Sequence, residues 1–292
     1  MPDAYEALLD ATIQHLEDLK EQGTRFVPIT TEALANLRRF SPFAVRLAVV
    51  DVNRSAARDP EPPPAATPQH RPAAVANASP SKKEALEEIR RRALECVKCA
   101  HLASSRKNVV FGIGNVDAEL MFVGEAPGAS EDLRGEPFVG PAGELLTKII
   151  EAMGLSREAV YIANILKCRP DTPGQTSGNR KPTPEEMQTC IPFLHEQVDL
   201  IRPKVLVALG ATAAEGLLGK TTGIMRLRGQ WHTYRDIPLM PTFHPSYLLH
   251  NQSPATKRQV WEDMMQVMEK LGMPISEKQK RFFLPKSAAA SE

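Results

Sequence analysis

Ala118-Glu-Leu-Met-Phe-Val-Gly-Glu-Ala-Pro-Gly128 is the stretch that decides the fold: an apolar run stops abruptly in a turn punctuated by Gly and Pro. Three further runs share its character, YIANIL at residues 161–166, KVLVAL at 204–209 and IPLMPTF at 237–243. A strand with one wet face alternates polar and apolar residues. These runs are nearly continuous, so each reads as a strand covered on both faces. Helical periodicity fills the gaps near residues 142–153, 184–201 and 211–218, and a last helix spans 255–271. Strands alternating with helices predict a three-layer α/β/α sandwich around a central parallel sheet.

Outside that core the composition changes. Residues 4–20 carry Tyr5, Leu8, Leu9, Ile13, Leu16 and Leu19 at helical spacing, and residues 30–37 read as a second short helix. Residues 1–53 are therefore expected to form a helical hairpin. A Pro- and Ala-rich stretch, residues 54–82, reads as an extended, disordered linker. The main domain is expected over 83–272, opening on a charged helix at residues 82–94. Residues 273–292 are polar and read as a flexible tail.

The 292-residue chain balances 36 Lys and Arg against 35 Asp and Glu. That balance excludes binding to nucleic acid through overall basicity, though not through a local basic face. No apolar run approaches the roughly 18 residues of a spanning helix, so no membrane partner is expected. The first twenty residues lack the basic-then-apolar order of a secretory leader, and a cytoplasmic, reducing setting is expected.

Polar motifs follow or interrupt three of the strands. Gly124-Glu-Ala-Pro-Gly128 leads into Glu131 and then Phe138-Val-Gly-Pro-Ala-Gly143; Asn164 lies inside the second run, with Lys167-Cys-Arg169 after it; His244-Pro-Ser-Tyr-Leu-Leu249 follows the last. Ligands of open parallel sheets bind outside the carboxyl ends of the strands, so these segments are expected to converge on one crevice. Each has a plainer reading. Gly and Pro punctuate many strand-to-helix turns, Phe138 fits a core, Asn164 could satisfy a backbone group, and Glu125 could cap a turn. Together they supply what breaking a base–sugar bond in nucleic acid requires. Phe138 offers a face for an extruded base, and the Asn164 carboxamide both donates and accepts, matching uracil rather than cytosine. His244 can bond developing negative charge on the base, Glu125 can orient water or steady the sugar cation, and the Ala126 N–H can hold a base oxygen.

The four cysteines are too few to staple a chain of this length, so metal ligation is the leading reading. Cys96-Val-Lys-Cys99 forms a clip, with Cys168 and Cys190 as the other half. A zinc ribbon pairs two tight CxxC motifs; the mixed spacing fits a [4Fe–4S] cluster better. Four unrelated buried thiols are the plainer alternative.

Over residues 93–271 the chain resembles the family 4 uracil-DNA glycosylases, the iron–sulfur branch of their superfamily. The resemblance rests on GEAPG with PFVGPAG, on Asn164 with Cys168, and on HPSYLL. It implies an enzyme that excises uracil from DNA as a monofunctional glycosylase and monomer, with the site residues assigned above. It adds Glu131 on the substrate side, and a leucine wedge, Leu248 or Leu249. The last two cysteines are usually closer together in that family, so residues 171–178 read as an inserted turn. Glu125 separates the chain from a branch lacking that acid. The absence of His between Arg169 and Thr189 separates it from one that traps DNA covalently. Residues 204–260 hold seven basic and two acidic residues, and Arg226, Arg228, Lys257 and Arg258 are expected on phosphates. Two further expectations remain: a non-catalytic iron–sulfur DNA-binding repair scaffold as the alternative function, and Gln279-Lys-Arg-Phe-Phe-Leu284 as a peptide for a sliding clamp.

Overall fold

The protein is described here from a computed structural model covering residues 81–172 and 179–284. The expected hairpin and all of the linker up to residue 80 lie outside the described residues, as do residues 173–178 of the inserted turn and 285–292 of the tail. In chain order the elements are α1 (Lys82–Leu94), α2 (Ala100–Ser105), β1 (Ile113–Gly114), β2 (Leu120–Gly124), α3 (Ala129–Arg134), α4 (Pro141–Ala152), β3 (Tyr161–Asn164), α5 (Pro184–Ile201), β4 (Val205–Leu209), α6 (Ala211–Leu218), α7 (Ile224–Leu227), β5 (His232–Tyr234), β6 (Ile237–Thr242), α8 (Pro245–His250), α9 (Pro254–Lys270) and α10 (Glu277–Lys280).

The six strands lie in the order β1-β3-β2-β4-β6-β5. The four inner strands, β3, β2, β4 and β6, run parallel, as the apolar runs predict. Both outer pairings are antiparallel, which the sequence does not announce. β1 has only two residues, and β5 turns into β6 through Arg235 and Asp236, at φ 50° and 64°. Two successive left-handed residues make the tight turn that suits a twisted hairpin.

Alternate residues of each inner strand face opposite layers. Met121, Val123, Ala163, Leu206, Ala208 and Leu239 meet α5 and α6 through Leu194, Val198, Ala213 and Leu217. Leu120, Phe122, Ile162, Val207 and Met240 meet α4 and α9 through Leu146, Ile150, Trp261 and Met264. Local chemistry starts the long helices where they are needed: Ser81 with Glu84 and Thr183 with Glu186 form capping boxes, and Pro141 and Pro184 sit in the first turn.

Two expectations are corrected. Residues 273–284 are not a loose tail: Trp261 Nε1 donates to the Gln279 carbonyl (2.6 Å), Gln279 Nε2 donates to that of Ala152 (2.8 Å), and the Phe282 ring packs at a tilt 5.1 Å from that of Trp261. A sliding clamp could take this peptide only by breaking those contacts. Arg258, expected on phosphate, instead donates to the carbonyls of Lys280 (2.6 Å) and Phe282 (2.9 Å) and pairs with Glu262. Arg228 is likewise committed. It bridges to both Asp263 oxygens at 2.7 and 3.2 Å and to the Gln259 carbonyl at 2.6 Å, while Thr242 Oγ1 donates to Asp263 Oδ2, the oxygen that Arg228 Nε also meets, at 2.6 Å.

Burial pushes the Asp263 carboxyl up to about 6, against the pull of Thr242 and Arg228. Removing the guanidinium would leave that carboxylate buried without its counter-charge. Arg228→Ala is therefore expected to lower unfolding free energy in urea by about 3–5 kcal/mol, and Arg228→Met with Asp263→Leu to restore most of it. Equal stability of Arg228→Ala and the parent chain would contradict this.

Candidate active site

The turns after β2, β3 and β6 meet in a cleft of about 290 Å³, lined among others by Ala126, Glu131, Phe138, Asn164 and His244. Ser246 and Asn179, for which no role was expected, line it too. An adjoining cavity of about 270 Å³ shares Ala126, Asn179, His244 and Ser246 and adds Glu125. The four side chains expected around one base thus divide: Phe138, Asn164 and His244 share the first chamber, and Glu125 stands in the second, across His244.

Asn164, at 2% exposed, closes the chamber from the end of β3, and its Oδ1 has no hydrogen-bond partner. A buried carbonyl oxygen left unpaired costs about 1–3 kcal/mol unless a ligand donates to it. Phe138 approaches over Gly124, where a Cβ would come within 2.3 Å of Asn164 Oδ1 and 2.7 Å of the Phe138 ring. Only glycine leaves room for both at this strand end. The Phe138 backbone is left-handed, φ 55°, a conformation costing a bulky residue about 1–3 kcal/mol and kept only where neighbours impose it.

Glu131 imposes it. Its Oε1 accepts from the N–H groups of Val139 and Gly140, both at 3.0 Å, and its Oε2 from that of Gly128 at 3.1 Å. Arg157 grips the Pro137 carbonyl from the other side. Glu131 was expected on substrate; its oxygens instead tie the turn after β2 to the loop carrying Phe138. Sequence alone hides this, because two of the three bonds close over eight and nine residues.

His244 caps α8, its Nδ1 accepting from the Ser246 N–H at 3.1 Å, with Ser246 Oγ at 2.7 Å. An imidazole nitrogen that accepts from a backbone N–H carries no proton, so the ring is neutral with its hydrogen on Nε2. Burial agrees, pushing His244 down to about 4, although the nearby Glu131 charge pulls the other way. The Phe138 ring lies 5.6 Å from the imidazole. The site therefore offers an aromatic face, an unpaired acceptor and an uncharged N–H donor.

On α8, Leu248 is 4% exposed, locked against Phe243 and Val260, and cannot project as a wedge without leaving that core. Leu249 is half-buried, and the exposed side chain of the turn is Tyr247, at 43%. Arg226 is exposed and Lys257 half-buried, so of the four basic residues expected on phosphates these two keep access.

Behind the cleft, three of the four cysteines share one apolar group. Cys168 and Cys190 are buried with Ile89, Ala93, Leu102, Phe111 and Leu166, and Cys99 and Ala126 pack against the same group. The Lys167 N–H donates to Cys190 Sγ and Arg106 Nη1 to Cys168 Sγ, both at 3.2 Å. Burial pushes the Cys190 thiol up to about 12 and raises Cys99 and Cys168; the other thiols of the group add to each rise. Among the described residues no three His, Cys, Asp or Glu side chains gather closely enough to chelate a single metal ion.

A sequence profile of the uracil DNA glycosylase superfamily matches residues 111–265, a span containing both chambers. The chain is 45% identical over 188 residues to a type-4 uracil-DNA glycosylase of Thermotoga maritima, covering 63% of this chain and 93% of the relative. It is 39% identical over 208 residues to one from Archaeoglobus fulgidus, covering 68% and 98%. A third, from Saccharolobus solfataricus, is 41% identical over 194 residues, covering 63% and 84%. With that coverage, the chain belongs to the uracil DNA glycosylase superfamily and to its type-4 branch.

Proposed function

We propose that this chain hydrolyses the N-glycosidic bond of uracil in DNA, releasing the free base and leaving an abasic site. The observation that carries the reading is the unpaired Asn164 Oδ1 at the floor of a chamber walled by Phe138 and His244. The N3–H of uracil is the donor that oxygen lacks, and the Asn164 amide then donates to O4. Cytosine offers an acceptor and a donor in the opposite places and leaves both unpaired. Phe138 stacks on the extruded base, and the Ala126 N–H helps hold a base oxygen.

As the C1′–N1 bond breaks, its electron pair moves to the base and the sugar becomes cation-like. Neutral His244 donates its Nε2 hydrogen toward the base oxygen that gathers this charge, and needs no proton transfer to do so. Glu125, in the second chamber, orients the water that adds to C1′ and takes up its proton. The released uracil anion is protonated by solvent. Arg226 and Lys257 meet the phosphates.

Cys96, Cys99, Cys168 and Cys190 would hold a [4Fe–4S] cluster; four thiol donors that influence one another, with an amide and a guanidinium aimed at two of the sulfurs, support that donor set. Hydrolysis involves no net electron transfer, so the group's contribution would be to brace the chain behind Ala126. Purified without exposure to air, the protein is expected to be brown with about four irons per chain, and Cys168→Ala to lose them; zinc in place of iron would refute the assignment.

Incubation with a uracil-bearing oligonucleotide tests the activity. Free uracil and an alkali-labile strand are expected, whereas a non-catalytic scaffold would bind and leave the strand whole. His244→Ala should slow release roughly 100-fold or more, the usual cost of losing one preorganised donor to a developing anion. Because the ring is already neutral above about pH 4, the His244 contribution should stay level from pH 8 to 5 and decline only as pH falls toward 4. An inflection near 6.5 that disappears in His244→Ala would count against a neutral donor. Asn164→Asp keeps an acceptor but loses the donor to O4, and is expected to slow uracil release at least about 10-fold; unchanged release would remove Asn164 from the site.

A further inference from the structure

We propose that Lys167 is a positioning residue for base recognition: its buried Nζ fixes the peptide group of Asn164, while its own backbone is fastened to Cys190. The inference rests on Asn164 reading the base, as argued above.

Lys167 is 1% exposed, among the most enclosed side chains of the domain. Nζ donates to the Asn164 carbonyl at 2.8 Å and to Gln197 Oε1 at 2.6 Å. Gln197, on α5, is held in turn: its Nε2 donates to the Phe111 carbonyl and to Tyr161 Oη, both at 3.0 Å. The Phe111 ring stands 5.7 Å from Nζ. At its other end, the Lys167 N–H donates to Cys190 Sγ at 3.2 Å, and the Lys167 carbonyl accepts from the Val110 N–H at 2.8 Å. The bridge uses two donors, which a protonated and a neutral amine both possess, so it does not depend on the charge of Lys167.

The location explains the need. β3 ends at Asn164, and the chain beyond it keeps two bonds to the β2 turn, Ile165 N–H to the Gly124 carbonyl and Leu166 N–H to the Glu125 carbonyl, each 3.0 Å. Capture of the Asn164 carbonyl from within the protein fixes the 164–165 peptide plane, and with it the Cα–Cβ direction of the side chain facing the base. A lysine three residues along, folded back under its own strand end, holds the carbonyl side of a peptide whose N–H side is bonded to Gly124 at the last rung of the sheet. Its backbone joins that device to the cysteine cluster, so the recognition side chain and the metal-binding residues share one support.

The test is single-turnover uracil release by the iron-loaded full chain on single-stranded DNA. Lys167→Met fills the space and removes the donors. The maximal rate should fall roughly 10- to 100-fold, while the half-saturating DNA concentration stays within about 2-fold and the iron content holds. In an Asn164→Ala background the same change should add no further loss, because Lys167 acts through that side chain. Losses that multiply, or a Lys167→Met rate equal to the parent's, would overturn the proposal. The two readings fail separately: an unaffected Asn164→Ala rate removes Asn164 from recognition, whereas a slow Asn164→Ala beside a normal Lys167→Met removes only the support. If Lys167→Met does not fold or loses iron, Gln197→Leu decides. It frees one end of the Lys167 bridge and should slow release about 3- to 10-fold, again with no added loss over Asn164→Ala; a normal rate would refute the proposal.

Discussion

The site depends on one carboxylate. Glu131 gathers three backbone N–H groups from two separate turns and, with Arg157 on the Pro137 carbonyl, holds Phe138 in its left-handed backbone. Charge-assisted bonds of this kind are about twice as strong as neutral ones, and three converging on one group outweigh the strain of a single residue. Placing the aromatic face becomes a matter of loop closure, and the bare Cα of Gly124 then lets ring and carboxamide close over the same strand end.

Buried polarity is concentrated where it fixes something. Asp263, paired with Arg228, ties α9 through Thr242 to the strand end preceding His244, Lys167 and Gln197 tie β3 to α5, and Arg157 tightens the loop before Phe138. Each is a costly arrangement if broken on one side only. The first two also convert the position of a helix into the position of a strand end. A neutral histidine follows the same rule: a buried imidazolium would lose more hydration than the Glu131 charge returns, while an N–H donor needs only alignment.

The inner strands were legible because residues buried on both faces leave continuous apolar runs, which owe little to their neighbours. Phe138, Asn164 and His244 could be read for a related reason: they sit beside turns whose Gly and Pro mark the strand ends. What escaped reading depends on distant packing. Arg228 and Arg258 look like free cations until α9 brings Asp263, Glu262 and the carbonyls of residues 280 and 282 against them. Leu248 resembles a projecting leucine until Phe243 and Val260 enclose it. Glu131 was attached to the site without a role, because its partners lie in a loop whose path the chain order does not reveal. The same blindness hid β1 and β5, too short to show a period.

Those two short strands have a consequence of their own. Four parallel strands of almost unbroken apolar sequence would, with bare rims, be templates for stacking one molecule's sheet onto the next. Each rim is instead closed by a stub. One is two residues long, with Gly114 so near the Val160 carbonyl that any side chain would collide. The other carries His232, Thr233 and Tyr234 and bends away through its left-handed turn. Rims so brief and irregular give a foreign strand little to align with, and the enzyme can keep a greasy centre without becoming a seed for aggregation.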